Sequence, residues 1–113
     1  MLKNAHARKG MILFAHGSRV ESANAEVRRV AARAARVAGS IGSPAFLEIA
    51  APDLAGAVAA LYGRGARDIV VVPYFLTLGT HMRRDLPRLI ALARGGRARG
   101  ARVRLARHIG AVP

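Results

Sequence analysis

The stretch that decides the fold of this chain is VVVPYFLTLGTH, residues 70–81. Its β-branched beginning has the length and composition of a buried parallel strand, and small residues then lead to His81. A second segment of the same kind, GMILFAHGSR at residues 10–19, runs from an apolar strand to His16. Because two strand–loop–histidine units occur in only 113 residues, we interpret the rest of the sequence around this pair of histidines.

Composition limits the classes of protein to which the chain can belong. Its 113 residues, 52% of them hydrophobic, predict a single domain over residues 1–113 with one modest core. The absence of cysteine excludes disulfides, thiolate metal sites and cysteine nucleophiles. No apolar run is long enough to span a membrane, so no membrane partner is predicted. With no export signal in the sequence, the expected location is cytoplasmic.

The net charge of +13 is the most unusual feature of the composition. A charge of this size attracts nucleic acid, an acidic membrane surface or a polycarboxylate substrate. All but two of the 19 basic residues are arginine, and a chain rich in Ala, Gly and Arg is also what a GC-rich coding bias produces. The charge leaves both interpretations open.

Apolar periodicity predicts strands and helices in alternation along the chain. The predicted strands are residues 10–15, 45–50, 68–76 and 101–106, and the predicted helices are residues 20–38, 52–62 and 85–94. Residues 1–9 are predicted to be a basic lead-in, and residues 108–113 a short tail. This order of elements predicts an α/β fold, a three-layer sandwich with a four-stranded, mainly parallel sheet and right-handed crossovers, for which we take the flavodoxin-like strand order 2-1-3-4.

Finer features of the helices are also predicted. The first helix should bury a stripe made of Val20, Ala23, Val27, Val30, Ala34 and Val37 and expose Glu26, Arg29, Arg33 and Arg36. Residues 42–44, Gly-Ser-Pro, should lie between this helix and the second strand. Residues 77–84 are predicted to be a loop, with Asp85 capping the third helix and Pro87 in its first turn. The core face of that helix should consist of Leu86, Leu89, Ile90 and Ala93.

The histidines and one carboxylate are expected at the carboxyl edge of the sheet. In open parallel sheets, ligands bind outside the carboxyl ends of the strands, where the strand order reverses. In the order 2-1-3-4, His16 and His81 follow neighbouring strands, and Glu48 lies near the end of the strand on the other side. Two imidazoles and a carboxylate suit divalent Co, Ni, Fe or Zn, and they can also accept protons. Insertion of a metal into a macrocycle requires both properties.

Simpler explanations exist for each of these residues. Taken singly, a loop histidine is more often a hydrogen-bonding residue than a ligand, and Glu48 resembles an edge-strand charge. Other chemistries have less support, because the sequence contains neither a G-x-S-x-G elbow nor a G-x-x-x-x-G-K-[ST] phosphate loop, so no nucleotide cofactor is predicted. An aromatic content of 4% is too low for a base-stacking surface, which makes nucleic acid an unfavoured partner.

The motifs FAHGSR (14–19), FLE (46–48), VPYFL (72–76), GTH (79–81) and DLP (85–87), in this order, resemble the CbiX and SirB class of sirohydrochlorin chelatases over about residues 10–95. The resemblance implies a lyase, a cobaltochelatase or ferrochelatase that inserts Co²⁺ or Fe²⁺ (Ni²⁺ in some members) into sirohydrochlorin without ATP, for cobalamin, sirohaem or nickel tetrapyrrole biosynthesis. It implies that His16, Glu48 and His81 are the metal ligands and catalytic residues.

The expected substrate carries acetate and propionate arms and is therefore a polyanion. Arg19, Arg83 and Arg84, with Ser18, are the expected substrate-binding residues, because they adjoin the two histidine segments. Two rival hypotheses are a non-catalytic basic protein that binds nucleic acid through its arginine-rich C-terminal third, and a carrier that holds metal at the histidines without chemistry.

The resemblance also predicts how the chain assembles. Many members have two copies of this fold facing each other across a cleft, and a chain of 113 residues resembles the short form, with one copy, which pairs as a homodimer. A further terminal helix is expected where the chain stops at residues 110–113. One face of the sheet is then expected to be uncovered unless a dimer partner covers it.

Overall fold

A computed structural model describes residues 8–95 and 99–106, with the side chains of residues 75–83 outside that description. The strands are β1 (Arg8–Ala15), β2 (Ile41–Phe46), β3 (Ala66–Pro73) and β4 (Arg102–Leu105), and the helices are α1 (Glu21–Val37), α2 (Leu54–Gly63) and α3 (Phe75–Arg94). The predictions for the lead-in up to residue 7, for residues 96–98 and for the tail from residue 107 lie outside the described residues.

The sheet has the predicted architecture. Its strand order is β2-β1-β3-β4, and each neighbouring pair is parallel. Alternation along β1 divides the core, because Ile12 and Phe14 face α2 and α3 while Leu13 and Ala15 face α1. The three-layer sandwich and the order 2-1-3-4 predicted from the sequence are confirmed. Strand β1 lies in the interior of the sheet, between β2 and β3.

Helix α1 buries a face rotated from the one predicted, with Val27 buried as predicted and Val30 packed at the edge of the core. Its buried residues are Asn24, Val27, Ala31 and Ala35, whereas Val20 and Val37 at the ends of the predicted stripe are 61% and 83% exposed. The reason is the close approach of α1 to β2, since a Cβ added at Gly42 would overlap the Cβ of Ala35. Alanines permit that approach and the bulkier valines do not, so the helix turns its small residues inward. The predicted exposed face, with Arg29, Arg33 and Arg36, is confirmed.

Strand β2 begins four residues earlier than predicted. Gly42, Ser43 and Pro44 were expected between helix and strand, but they lie inside β2, where Pro44 is the register partner of Leu13. An edge strand tolerates proline because only one of its sides joins the ladder. Glu48 consequently lies two residues beyond the end of the strand and not within it.

The third helix begins ten residues earlier than predicted. Strand β3 ends at Pro73, and the segment 77–84, which was expected to be a loop, belongs to α3. Helix-favouring residues such as Leu76, Leu78 and Met82 outweigh the turn signals of this segment. Asp85 is therefore not an N-cap, and Pro87 lies in the helix interior, where it has no N–H to donate. The predicted inward face is confirmed, with Leu86, Ile90 and Ala93 buried and Leu89 packed against them.

Within the described ranges, no helix has the length and hydrophobicity needed to cross a lipid bilayer.

Candidate functional site

The candidate site lies at the carboxyl ends of β1 and β2, where the chain continues into the loops that carry His16 and Glu48. The Leu47 N–H donates to the carbonyl oxygen of Ala15 at 2.9 Å, and the Glu48 N–H donates to that of His16 at 3.1 Å. These two bonds join the residues after β2 to the end of β1 and its following loop, beyond the last paired residues of the sheet, Ala15 and Phe46. The loop after β1 and the loop after β2 therefore leave the sheet side by side, and this brings the side chains of His16 and Glu48 together.

His16 and Glu48 form a close polar pair. The distance from His16 Nε2 to Glu48 Oε2 is 3.3 Å, and the two side chains are 41% and 56% exposed. On the other side of the imidazole, His16 Nδ1 lies 3.1 Å from the carbonyl oxygen of Gly17. A carbonyl can only accept, so this bond requires the proton on Nδ1. Glu48 Oε2 is also an acceptor, so the neutral ring can donate to only one of its two neighbours; with the proton on Nδ1, the Nε2 lone pair faces Glu48 and is able to bind a cation shared with it.

The spacing of this pair suits a shared divalent cation. Two ligands bound to one ion at about 2.1 Å each lie roughly 3.0 to 3.4 Å apart for bond angles between octahedral and tetrahedral. The 3.3 Å separation of Nε2 and Oε2 falls inside that interval. Both side chains are half-exposed, so other positions around such a cation would remain open to further ligands. Among the side chains that the structure describes, no group of three metal-ligating residues is found, so the described geometry comprises this pair.

Gly17 makes the close approach of the two loops possible. Its φ is +98°, and a Cβ at this position would overlap the carbonyl oxygen of Glu48 and lie 3.1 Å from the carbonyl carbon. Only glycine adopts this backbone conformation without strain, and only glycine leaves room for the Glu48 backbone. The glycine of the HGS motif thus has a packing function in addition to its conformational one.

The chain reverses directly after Glu48 in a three-residue γ-turn. The Ala50 N–H donates to the carbonyl oxygen of Glu48 at 2.8 Å, and Ile49, at the centre, has φ +75° and is 57% exposed. A β-branched residue at positive φ is strained, and such strain concentrates at functional sites. The turn directs the chain from the candidate ligand back toward Asp53, which caps α2 by accepting from the Gly56 N–H at 2.8 Å.

Asn24 is a functional candidate that the sequence interpretation missed. It is 4% exposed; its Oδ1 accepts from the Ser18 N–H at 2.9 Å, and its Nδ2 donates to the Ser18 carbonyl at 2.7 Å. These bonds fix the loop two residues after His16. The sequence offered one signal, the polar Asn24 one turn before Val27. The predicted buried stripe follows the neighbouring face of the helix and therefore leaves Asn24 out.

A hollow of about 230 Å³ lies beside the loop that follows β1. Its lining combines residues on either side of His16, the first turns of α1 and the aromatic residue that follows β3: Ala15, Gly17, Ser18, Ala23, Asn24, Glu26, Val27 and Tyr74. Tyr74 is held there by its N–H, which donates to the carbonyl oxygen of Phe14 at 2.8 Å. The hollow and the His16–Glu48 pair occupy the same carboxyl edge of the sheet, which is where ligands of parallel sheets bind.

The other predicted site residues are placed as follows. Ser18 is half-buried, and its Oγ accepts from the Val20 N–H at 3.0 Å, while Arg19 and Arg84 are exposed. The backbone at His81 is helical and belongs to α3; the side chains of His81 and Arg83 lie outside the described residues. The structure thus brings two of the three expected ligands together, and the place of the third side chain stays a prediction.

Fold and site together define a class of protein, a parallel α/β domain with a candidate cation-binding pair at the carboxyl edge of its sheet. A sequence profile of the CbiX family matches residues 10–113. The chain belongs to the CbiX family.

Two curated relatives illustrate the similarity. The sirohydrochlorin cobaltochelatase of Saccharolobus solfataricus is 37% identical over 86 residues, which are 74% of this chain and 64% of that protein. The sirohydrochlorin cobaltochelatase of Methanosarcina barkeri is 32% identical over 88 residues, 77% of this chain and 68% of that protein. The match to the Saccharolobus solfataricus protein thus spans slightly less than two thirds of its length.

Two crystal structures share the fold. A CbiX protein from Marinobacter aquaeolei superposes with a TM-score of 0.73 at 31% identity, over 93% of this chain and 85% of that one. The sirohydrochlorin chelatase SirB from Bacillus subtilis subspecies spizizenii, solved in complex with cobalt, superposes with a TM-score of 0.70 at 27% identity, over 88% of this chain and 43% of that one.

Proposed function

We propose that this protein is a sirohydrochlorin chelatase that inserts Co²⁺ into the tetrapyrrole, accepts Fe²⁺ or Ni²⁺ as alternative metal substrates, and uses no nucleotide. The observation that carries the proposal is the 3.3 Å approach of His16 Nε2 to Glu48 Oε2, a separation suited to one shared cation. Relatives named sirohydrochlorin cobaltochelatase support the choice of substrate and metal. The cobalt complex of a structural relative supports it further.

In this proposal His16, Glu48 and His81 are the metal ligands and the catalytic residues. His16 offers the Nε2 lone pair and Glu48 a carboxylate oxygen, while His81 supplies a second imidazole from α3. As the metal enters, each of two pyrrole N–H bonds breaks heterolytically. The electron pair stays on nitrogen and binds the metal, and the proton passes to an imidazole or carboxylate of the site. One divalent cation replaces two protons, so the exchange balances in charge without a redox step or ATP.

The carboxylate arms of the substrate would bind to the cationic residues around the site. Arg19 and Arg84 are exposed, and we assign them, with Arg83, to the acetate and propionate groups. The hydroxyl of Ser18 accepts from Val20 N–H, so its own proton remains available for a carboxylate oxygen. The net charge of +13 would speed the encounter with a polyanion, and this effect weakens as salt is added.

We also propose that the protein acts as a homodimer in the cytoplasm. Leu92 on α3 is 68% exposed beside an apolar hollow of about 220 Å³ between α2 and α3, a surface suited to a second copy. Light scattering coupled to size exclusion distinguishes a mass near the 11.9 kDa of one chain from twice that mass.

The proposed activity is tested by mixing the purified full chain with sirohydrochlorin and Co²⁺, Fe²⁺ or Ni²⁺ in turn, without ATP, and by recording visible spectra with time. We expect His16→Ala, His81→Ala and Glu48→Gln to abolish the accelerated spectral change while the circular dichroism stays native. Asp68→Asn is the control, because Asp68 pairs with Arg104 near the amino end of β3, at the edge of the sheet opposite the candidate site. Wild-type rates in both histidine variants would refute the proposed site.

Two companion measurements, of metal binding and of nucleic-acid retardation, separate the rival functions. A metal carrier would bind Co²⁺ at His16 and Glu48 without changing the spectrum of the tetrapyrrole. A nucleic-acid-binding protein would instead retard DNA or RNA at low salt, with an affinity that falls steeply as salt is added. Either result in the absence of metal insertion would replace the proposed activity.

A further inference from the structure

Helix α1 contacts the loop that carries His16. Asn24, in the first turns of the helix, accepts from the Ser18 N–H and donates to the Ser18 carbonyl, at 2.9 Å and 2.7 Å. Because Asn24 is 4% exposed, water does not compete for these bonds. The side chain thus holds the backbone of Ser18, two residues after His16, from both sides.

The same helix contacts the segment that carries Glu48. Arg28 Nη2 lies 3.4 Å from the carbonyl oxygen of Ala51 and donates to it, and the guanidinium carbon lies 5.4 Å from the ring centroid of Phe46. Phe46 is the last residue of β2, and Ala51 follows the turn at Ile49. One side chain therefore touches the chain before and after Glu48.

Glu21 joins these two contacts. Its Oε1 accepts from Asn24 Nδ2 at 3.3 Å, and its Oε2 pairs with Arg28 Nη1. The hydrogen bond from Arg28, and then that from Asn24, holds the pKa of Glu21 below its ordinary value, so the carboxylate stays charged at neutral pH. A continuous chain of contacts runs from Ser18 through Asn24, Glu21 and Arg28 to Ala51.

We propose that Asn24, Glu21 and Arg28 are positioning residues that hold His16 and Glu48 at the separation required for a shared metal ion. The inference rests on the proposed function, since it assumes that these two residues bind the metal. The sign of the expected effect is informative. A cationic Arg28 repels a divalent cation, so its removal would strengthen metal binding if charge alone mattered. A positioning role predicts the opposite, a weaker affinity.

The test is the Co²⁺ affinity of the full chain, measured by titration calorimetry for wild type, Arg28→Met and Arg28→Lys. We expect both variants to bind Co²⁺ about tenfold more weakly, which is the lower end of the effect of outer-sphere substitutions. Lysine keeps the charge but lacks the planar group that bonds to Glu21, packs on Phe46 and reaches Ala51. Arg29→Met is the matched control, because Arg29 pairs with Glu26 and contacts neither loop within the described residues. Its affinity should equal that of wild type.

A double-mutant cycle separates positioning from general loss of structure. In a Glu48→Gln background, Arg28→Met should weaken Co²⁺ binding no further, because the side chain that it positions is already lost. Independent, multiplicative losses would overturn the inference, as would an unchanged affinity in Arg28→Met. If Glu48→Gln alone binds Co²⁺ like wild type, the proposed ligand set fails instead. Should Arg28→Met prove unfolded at the assay temperature, Glu21→Gln removes the same ion pair, and an unchanged affinity there overturns the inference.

Discussion

Replacement of Gly17 by alanine tests whether the two loops of the candidate site are held together by close packing. The added methyl group would overlap the carbonyl oxygen of Glu48, and φ at this position is +98°. The alanine variant must therefore rotate its backbone or push the Glu48 segment away. Either movement separates His16 from Glu48.

The expected loss of stability has two parts. A non-glycine residue at positive φ costs about 1–2 kcal/mol. Separation of the loops also breaks the 3.1 Å bond from the Glu48 N–H to the His16 carbonyl, a loss of about 1 kcal/mol. We therefore expect Gly17→Ala to lower the free energy of unfolding by about 2–3 kcal/mol, a decrease in melting temperature of roughly 8–12 °C for a domain of this size.

The assay is urea denaturation followed by circular dichroism, together with Co²⁺ titration of the folded variant. Gly39→Ala is the matched control, because Gly39 also has positive φ, +71°, but a Cβ there meets nothing within 4 Å. It should lose only the backbone part, about 1–2 kcal/mol, and should bind Co²⁺ like wild type. If Gly17→Ala loses no more stability than Gly39→Ala and keeps wild-type Co²⁺ affinity, close packing of the loops does not set the geometry of the site.

Three further predictions concern stability. Gly42→Ala should destabilise the protein by about 1–3 kcal/mol in the same denaturation assay, because the new Cβ would overlap that of Ala35; an unchanged midpoint would contradict the close seating of α1. Ile49→Gly should stabilise it by about 1 kcal/mol, because glycine removes the strain at φ +75°, and a loss of stability would show that the Ile49 side chain contributes more than its backbone costs. Glu21, whose pKa is lowered from 4.5, stabilises the fold above that value and loses this contribution as the pH falls through the lowered pKa. Urea midpoints recorded below pH 4.5 should therefore fall less in Glu21→Gln than in wild type.

The alternation of strands and helices was predictable because it depends on features that are local in sequence. Apolar runs, helical periodicity and alternation specify the elements, and right-handed parallel connections then restrict the topology to few choices. The buried face of α1 was not predictable in the same way. Alanine is compatible with either face, so the valines at positions 20 and 37 determined the predicted stripe, whereas the close approach to Gly42 determines the real one.

The boundaries of β2 and α3 show a related limit. Gly42 and Pro44 have the composition of a turn, yet they lie inside the edge strand β2. The assembled fold explains both: Gly42 leaves room for the Cβ of Ala35 on α1, and Pro44 lies on an edge strand, where a missing N–H is tolerated. Asp85 and Pro87 have the composition of a helix start, yet α3 begins at Phe75, directly after the ladder between β3 and β1 ends. Local sequence signals show where a turn or a helix start is possible, but the pairing and packing of the sheet determine whether one forms there.

His16 and Glu48 lie together at the carboxyl edge even though the predicted bounds of β2 were wrong, and the reason lies in how the site is built. Backbone hydrogen bonds from residues 47 and 48 to residues 15 and 16 hold the two loops together, and Gly17 leaves the room that this requires. None of these contacts uses the imidazole or the carboxylate, which are both half-exposed. Substitution of either side chain should therefore leave the frame intact, so a loss of metal binding in His16→Ala or Glu48→Gln would report on chemistry and not on folding. A collapse of the fold in those variants would show that the frame depends on the pair itself.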